Sequence, residues 1–398
     1  MRTTPRTANA TVERAEPFEI HAPESALADL RERLVRTRWI ESLGADGWQY
    51  GFDIEYLREL VRYWRDDFDW PAQEMAMNRF PQFQATVGGT RIHFIHERGR
   101  GPRPMPIVLT HGFPDSVFRF AKVVSMLTDP AAHGGDPADA FDVVAPSLPG
   151  YAFSERPEGD GIIFRVGDLW HELMTNVLGY DHFVAHGGDW GSTVTELLSR
   201  AREDAVTAIH LTDVPFFHAF TPPPNPSTGE RAYMQAIARF GQTKGAYALV
   251  QGTQPQALAA GLNDSPAGLA AWIIEKFRRW SDCDGDVESR FTRDELLANV
   301  TLYWLTQTIN SAFGLYYDIV HAGTALQAPS AAARSGSRSV PTGFAMFPKD
   351  LSMPPREWAE RFFDVERWTA MPRGGHFAAL EEPELLVQDI RAFFRRFR

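Results

Sequence analysis

The sequence predicts an α/β protein: a mostly parallel sheet with helices on both faces, interrupted by a helical insertion. Three observations predict it. Short apolar, β-branched runs alternate with helical stretches between residues 90 and 215. That texture stops at residues 222–226, Pro-Pro-Pro-Asn-Pro, and gives way to a long helical region rich in Tyr, Trp and Phe. Strand texture then resumes at residues 340–347, Val-Pro-Thr-Gly-Phe-Ala-Met-Phe. The 398 residues are ample for a large core and suggest two or three units.

The elements follow in order. The first helix is amphipathic, with Ser25 as its expected N-cap and Leu27, Leu30 and Leu34 on one face. Asp53 is expected to cap a second helix, whose buried stripe is Ile54, Leu57, Val61 and Trp64. Residues 90–96 and 106–111 read as strands, the second running into His111, Gly112, Phe113, Pro114, Asp115 and Ser116. Residues 141–150 form a further strand and turn, 166–177 a helix, 182–186 a strand and 205–215 another strand. An amphipathic helix over residues 384–394 closes the chain. The expected organisation is a helical N-terminal extension over 1–95, a first part of the core over 96–215, a helical cap over 216–338 and a second part of the core over 339–398. Within the cap, residues 330–339 are small and polar and read as a mobile linker. No internal repeat is present.

Composition excludes several function classes. A formal charge of -11, with no Lys/Arg cluster, disfavours a nucleic-acid partner, because the phosphate backbone needs a basic surface. The single cysteine, Cys283, excludes an intrachain disulfide and is compatible with a reducing compartment. The N-terminal residues lack the apolar core of a signal peptide, and no stretch approaches the roughly 18 apolar residues that span a bilayer. The expectation is a soluble, cytoplasmic protein; the sequence leaves homo-oligomerisation open.

The most informative stretch is residues 187–191, Gly-Gly-Asp-Trp-Gly, between the strand at 182–186 and the helix that begins at Ser192. This is the nucleophile elbow of the α/β-hydrolase fold, in which small residues let a strained turn hold the nucleophile at the top of the sheet. Asp189 stands where serine is usual. A carboxylate cleaves esters and amides poorly, because the anhydride it would form is too reactive, but it can displace a leaving group from saturated carbon and form an alkyl ester that water later hydrolyses. The base expected beside it is His376, in the Gly-flanked turn Arg373-Gly374-Gly375-His376 after the last strand. Asp350, after the preceding strand, is expected to orient the imidazole, with Asp213 as reserve; nucleophile, acid, histidine is the chain order of this fold. The oxyanion-hole donors are expected to be the backbone N–H groups of Phe113 and of Trp190, the residue after the nucleophile. No metal or organic cofactor is needed.

Together these motifs resemble the microsomal-type epoxide hydrolases of the α/β-hydrolase fold over nearly the whole chain. The resemblance rests on Phe18-Glu-Ile-His, Thr37-Arg-Trp39, the His111–Ser116 segment, the elbow, Gly261-Leu-Asn-Asp-Ser-Pro266, Ile274-Glu-Lys-Phe277, Tyr303-Trp304, Pro341-Thr-Gly-Phe344 and Gly374-Gly-His-Phe-Ala-Ala-Leu-Glu-Glu-Pro383. It implies a soluble, bacterial-type member, since the membrane anchor of the microsomal relatives is missing from the N-terminus. It also implies that two cap tyrosines, Tyr247 and Tyr316, hold the epoxide oxygen; with an ordinary pKa near 10, tyrosine stays protonated and can donate to a developing alkoxide. The chain departs from the pattern in three places. Tyr317 is an adjacent rival to Tyr316, Gly314 replaces an arginine, and Asp350 stands where glutamate is common.

The implied reaction opens a bulky epoxide to a vicinal diol through an Asp189 ester, with water activated by His376; the Phe and Trp of the cap point to an aromatic substrate. A haloalkane dehalogenase shares the Asp nucleophile and often the following Trp, there as a halide donor, and Trp272, Trp280 and Trp304 keep that alternative open. A ligand receptor without catalysis is a third reading; it should have lost members of the set, and all are present.

Overall fold

The computed structural model describes residues 14–44, 47–220, 222–321 and 340–398. Among these residues nine strands form one sheet, in the order β1-β2-β3-β5-β4-β6-β7-β8-β9. They are β1 Glu16–Phe18, β2 Gln82–Val87, β3 Thr90–Glu97, β4 Met105–Thr110, β5 Phe141–Pro146, β6 Phe183–Gly187, β7 Val206–Leu211, β8 Pro341–Met346 and β9 Asp364–Ala370. From β5 to β9 every neighbouring pair is parallel. At the other edge β1, β2 and β3 pair antiparallel with one another, and β3 antiparallel with β5.

The sheet separates two cores, and the alternation of side chains along each strand assigns residues to them. Val108, Val144, Ala185 and Ile209 join one cluster, which also holds Leu57, Trp64, Trp170 and the aromatic residues of the cap. Ile107, Leu109, Val143, Ala145, Val184 and Ala208 join the other, with Leu127 and the C-terminal helix Pro383–Phe394. The central strands are buried on both faces, hence their near-continuous apolar runs.

The N-terminal extension is only partly helical, which corrects the expectation for residues 1–95. It carries α1 Glu24–Val35, α2 Ile54–Asp66 and α3 Trp70–Met77, but also β1, β2 and most of β3, so the boundary at 95/96 cuts through a strand. Ser25 is not an N-cap: α1 starts at Glu24 behind Pro23, with no side-chain cap. Asp53 does cap α2, accepting from the Glu55 and Tyr56 amides. The stripe of α2 is Leu57, Leu60, Val61 and Trp64, with Ile54 half-buried. A short helix α4, Val124–Thr128, follows β4. Residues 166–177 divide into α5 Val166–Glu172 and a wider π-helical turn Leu173–Val177; α6 is Trp190–Ala201. The cap consists of α7 Thr228–Thr243, α8 Ala246–Thr253, α9 Pro255–Asp264, α10 Pro266–Trp280, α11 Arg293–Thr306 and α12 Ile309–His321. The expected linker at 330–339 and the N-terminal ten residues lie outside the described residues.

Candidate functional site

The loops that leave the C-terminal ends of β4, β6, β7, β8 and β9 carry Phe113, Asp189, Asp213, Asp350 and His376 respectively. Ligands of open α/β sheets bind at this edge. The elbow between β6 and α6 explains its own sequence. Asp189 adopts φ 59° and ψ -126°, a conformation that non-glycine residues rarely occupy. A Cβ on Gly191 would lie 1.9 Å from the Thr110 carbonyl oxygen, and one on Gly187 would lie 2.2 Å from that of Gly191, so neither position accepts a side chain. The turn closes with Gly191 N–H on Gly188 O (2.9 Å) and Ser192 N–H on Asp189 O (3.1 Å).

The turn presents the Asp189 carboxylate to both sets of partners. Its Oδ1 accepts the Phe113 amide at 2.8 Å, and the Trp190 amide is near enough to favour the charged carboxylate. Its Oδ2 lies 3.2 Å from His376 Nε2. The other imidazole nitrogen, Nδ1, is 2.7 Å from Asp350 Oδ1, which also accepts the Leu351 amide at 2.6 Å. Backbone contacts fix the histidine loop: His376 N–H donates to Trp280 O of α10 at 2.8 Å, Arg119 donates to His376 O, and Lys349 N–H donates to Gly374 O at 3.1 Å. The last bond ties the acid loop to the base loop.

Burial opposes charge on both His376 and Asp189, and their partners outweigh it. His376 is raised to about 10 despite burial, by the charge of Asp350 and by Asp189. Asp189 is held below its ordinary value, since His376 and the Phe113 and Trp190 amides overcome its burial. The acids on either side of the imidazole thus favour its protonated form.

The cap closes over Asp189 through aromatic rings. Tyr316 of α12 meets the Trp190 ring edge-on at 4.6 Å between centroids, Phe113 at 5.6 Å and Tyr247 of α8 at 6.0 Å. Tyr247 packs on Trp280 (5.0 Å), which in turn meets His376 (5.3 Å). Burial, with the nearby Asp189 charge, pushes the Tyr247 hydroxyl above its ordinary value; the same burial, with Tyr247 and Asp189, raises Tyr316. Both stay protonated at neutral pH. Tyr317 turns away and stacks on His321 at 3.8 Å. Of the other expected indoles, Trp272 donates to Gln251 Oε1 at 3.1 Å and Trp304 packs under Arg33 of α1.

Sequence reasoning missed Lys276. Its ammonium, 5.5 Å from the centroid of the Tyr247 ring and 4.3 Å from that of Trp272, contacts Glu275, which Arg279 also binds at 2.8 Å. One carboxylate thus serves two cations beside Tyr247. The segment 274–277 was visible as a motif, but nothing in its spacing placed the lysine against a particular tyrosine.

An elbow on a sheet of this order, with an acid and a histidine on the following loops and a helical cap, defines an α/β-hydrolase, and residues 105–262 match the family model for the alpha/beta hydrolase fold. Residues 15–120 match the model described as the epoxide hydrolase N terminus. A Stigmatella aurantiaca protein named provisionally as an epoxide hydrolase is 41% identical over 96% of this chain and 85% of its own length. Epoxide hydrolase 1 of Sus scrofa is 34% identical over 98% and 90%. The solved structure of the Aspergillus niger epoxide hydrolase superposes with a TM-score of 0.82 at 31% identity, covering 96% of each chain. The chain belongs to the epoxide hydrolase family and is a hydrolase.

Proposed function

We propose that the protein hydrolyses a bulky epoxide, aromatic by the lining of its cap, to a vicinal diol through an ester on Asp189. The observation that carries this reading is the Asp189 carboxylate, anchored through Oδ1 to the Phe113 amide beneath a cap whose Tyr316 ring packs on Trp190 and Phe113 and whose Tyr247 ring packs on Tyr316. Oδ1, already on the Phe113 amide, becomes the ester carbonyl oxygen; Oδ2 is left to attack a ring carbon. As the carbon–oxygen bond breaks, its electron pair stays on the ring oxygen, which takes a proton from a tyrosine.

Esterification removes the Asp189 charge that helped hold the proton on His376. The imidazole can then give that proton back towards the tyrosine and act as base. It takes a proton from water, the water oxygen attacks the Asp189 carbonyl carbon, and negative charge develops on Oδ1 between the Phe113 and Trp190 amides. Collapse breaks the bond from the Asp189 carbonyl carbon to Oδ2, the departing alkoxide takes the proton that His376 removed from water, and the diol leaves; the proton of the new Asp189 carboxyl then passes back to His376.

Two cap tyrosines and the family favour this reading over a haloalkane dehalogenase. The residues described include no helix long and apolar enough to cross a membrane, consistent with a site supplied from water. The test is the intact mass of His376→Gln after exposure to styrene oxide, with Asp189→Asn as control. The expected adduct equals the whole epoxide and is absent from the control; an alkyl adduct formed from a bromoalkane instead, or no adduct, overturns the reading. In labelled water, the wild-type enzyme should carry the first label on Asp189 and release its first diol unlabelled.

A further inference from the structure

We propose that Asp213 is a positioning residue for this reaction: its carboxylate holds the backbone of Asp189 in the strained turn and so aims the attacking oxygen. The proposal rests on the ester mechanism above. Asp213 lies two residues past the end of β7, and its Oδ1 accepts the Asp189 amide at 2.8 Å and the Ser192 hydroxyl at 2.6 Å.

The hydrogen bonds of the elbow leave this task to no other group. Gly191 and Ser192 amides close the turn internally, and the Trp190 amide lies beside the carboxylate. The Asp189 amide points out of the turn, and a buried amide needs an acceptor. Asp213 supplies it from the neighbouring strand, whose Thr212 N–H also donates to Gly187 O at 3.2 Å. A side chain that grips both residue 189 and residue 192 spans the strained residue and the first turn of α6, so rotation of the Asp189 peptide is resisted from both sides. The role of orienting acid for His376 belongs to Asp350, so Asp213 is free for this one.

The groups facing Asp213 are Asp350, His376, Asp189, Ser192 and the Tyr233 ring. Its carboxyl is raised above its ordinary value by burial and then by the Asp350 charge, against the Ser192 hydroxyl, His376 and the Asp189 amide. The ionised form is the stronger acceptor, since charge-assisted bonds are shorter and stronger. The grip on Asp189 is therefore tighter when the Asp213 carboxyl is ionised.

The test compares Asp213→Asn and Asp213→Ala with the wild type, using styrene oxide. An asparagine keeps an oxygen for the two donors and turns its amide towards Asp350. In Asp213→Ala, kcat is expected to fall by about tenfold to a hundredfold, the range for a misaimed reacting group, with KM changed far less. Asp213→Asn is expected to keep most of the activity, because its side-chain oxygen still accepts from the Asp189 amide and the Ser192 hydroxyl, and to flatten whatever part of the wild-type pH profile the Asp213 carboxyl contributes. Made in the His376→Gln background, the same two variants read the rate of ester formation alone by intact mass. A folded Asp213→Ala with wild-type kcat overturns the proposal, as does an Asp213→Asn as slow as the alanine variant. If the wild type forms no ester, the mechanism fails before Asp213 is tested; if it forms ester and Asp213→Ala forms it equally fast, the positioning role alone fails.

Discussion

His376 lies between Asp189 and Asp350, which together favour its protonated form. Its folded pKa is raised, so its contribution to stability is complete below the ordinary histidine value near 6.5 and is lost as pH climbs through about 10. Asp189 works in the opposite sense: its folded pKa is depressed, so its contribution is present above the ordinary carboxylate range and lost as pH falls through the depressed value. Removing the Asp189 charge should release part of the hold on His376. In Asp189→Asn, the His376 imidazole is expected to titrate at a lower pH than in the wild type, followed by its nitrogen-correlated NMR signals. An unchanged titration would mean that Asp350 alone sets the charge, and that ester formation does not switch the histidine into a base. These residues were legible from the chain because local geometry dictates them. The elbow admits only glycine at 187 and 191, and the order nucleophile, acid, histidine fixes where the others fall. Asp213 was legible as a carboxylate at a strand end, but not its bond to the Asp189 amide, because that depends on how the β7 loop packs against the β6 turn.

At the scale of elements, the loop after β4 has to approach the elbow closely enough for the Phe113 amide to reach Asp189. A Cβ on Gly112 would lie 2.3 Å from Asp189 Oδ1 and 2.4 Å from its Cβ. Gly112→Ala is therefore expected to displace the carboxylate while leaving the sheet intact, with kcat on styrene oxide reduced about a hundredfold and little change in melting temperature. Gly191→Ala meets backbone instead, at Thr110, and its effect should appear as lost stability, about 1–3 kcal/mol or more, as for an overpacked core. A Gly112→Ala enzyme with unaltered kcat would show that the loop can retreat without cost. The strands missed by sequence reading were β1 and β2. β1 has three residues, and β2, Gln-Phe-Gln-Ala-Thr-Val, alternates weakly; both owe their conformation to partners across the sheet. The two cap tyrosines were visible only through resemblance, since a helix with aromatic residues on one face is ordinary packing.

On the scale of the whole molecule, the extension straps the cap to the core. Trp64 of α2 donates to Thr301 of α11 at 3.0 Å, Tyr63 donates to Asp294 at 2.8 Å, and Arg33 of α1 reaches Asp264 of α9 at 2.7 Å. Meanwhile β1 and β2 extend the sheet. Trp64 is fully packed, and its truncation to alanine should cost about 3–5 kcal/mol, seen as a lower melting temperature; retention of the wild-type value would mean that the strap carries no load.

The same strap joins residues 237 positions apart in the chain. On a ribosome adding about 5–20 residues per second, the apolar stripe of α2 is complete roughly 12 to 47 s before the helix that covers it has been made. For that interval Leu57, Leu60, Val61 and Trp64 have no partner from the cap. Early synthesis and late burial leave this helix with an uncovered apolar stripe in the nascent chain, a surface on which premature association between chains can begin.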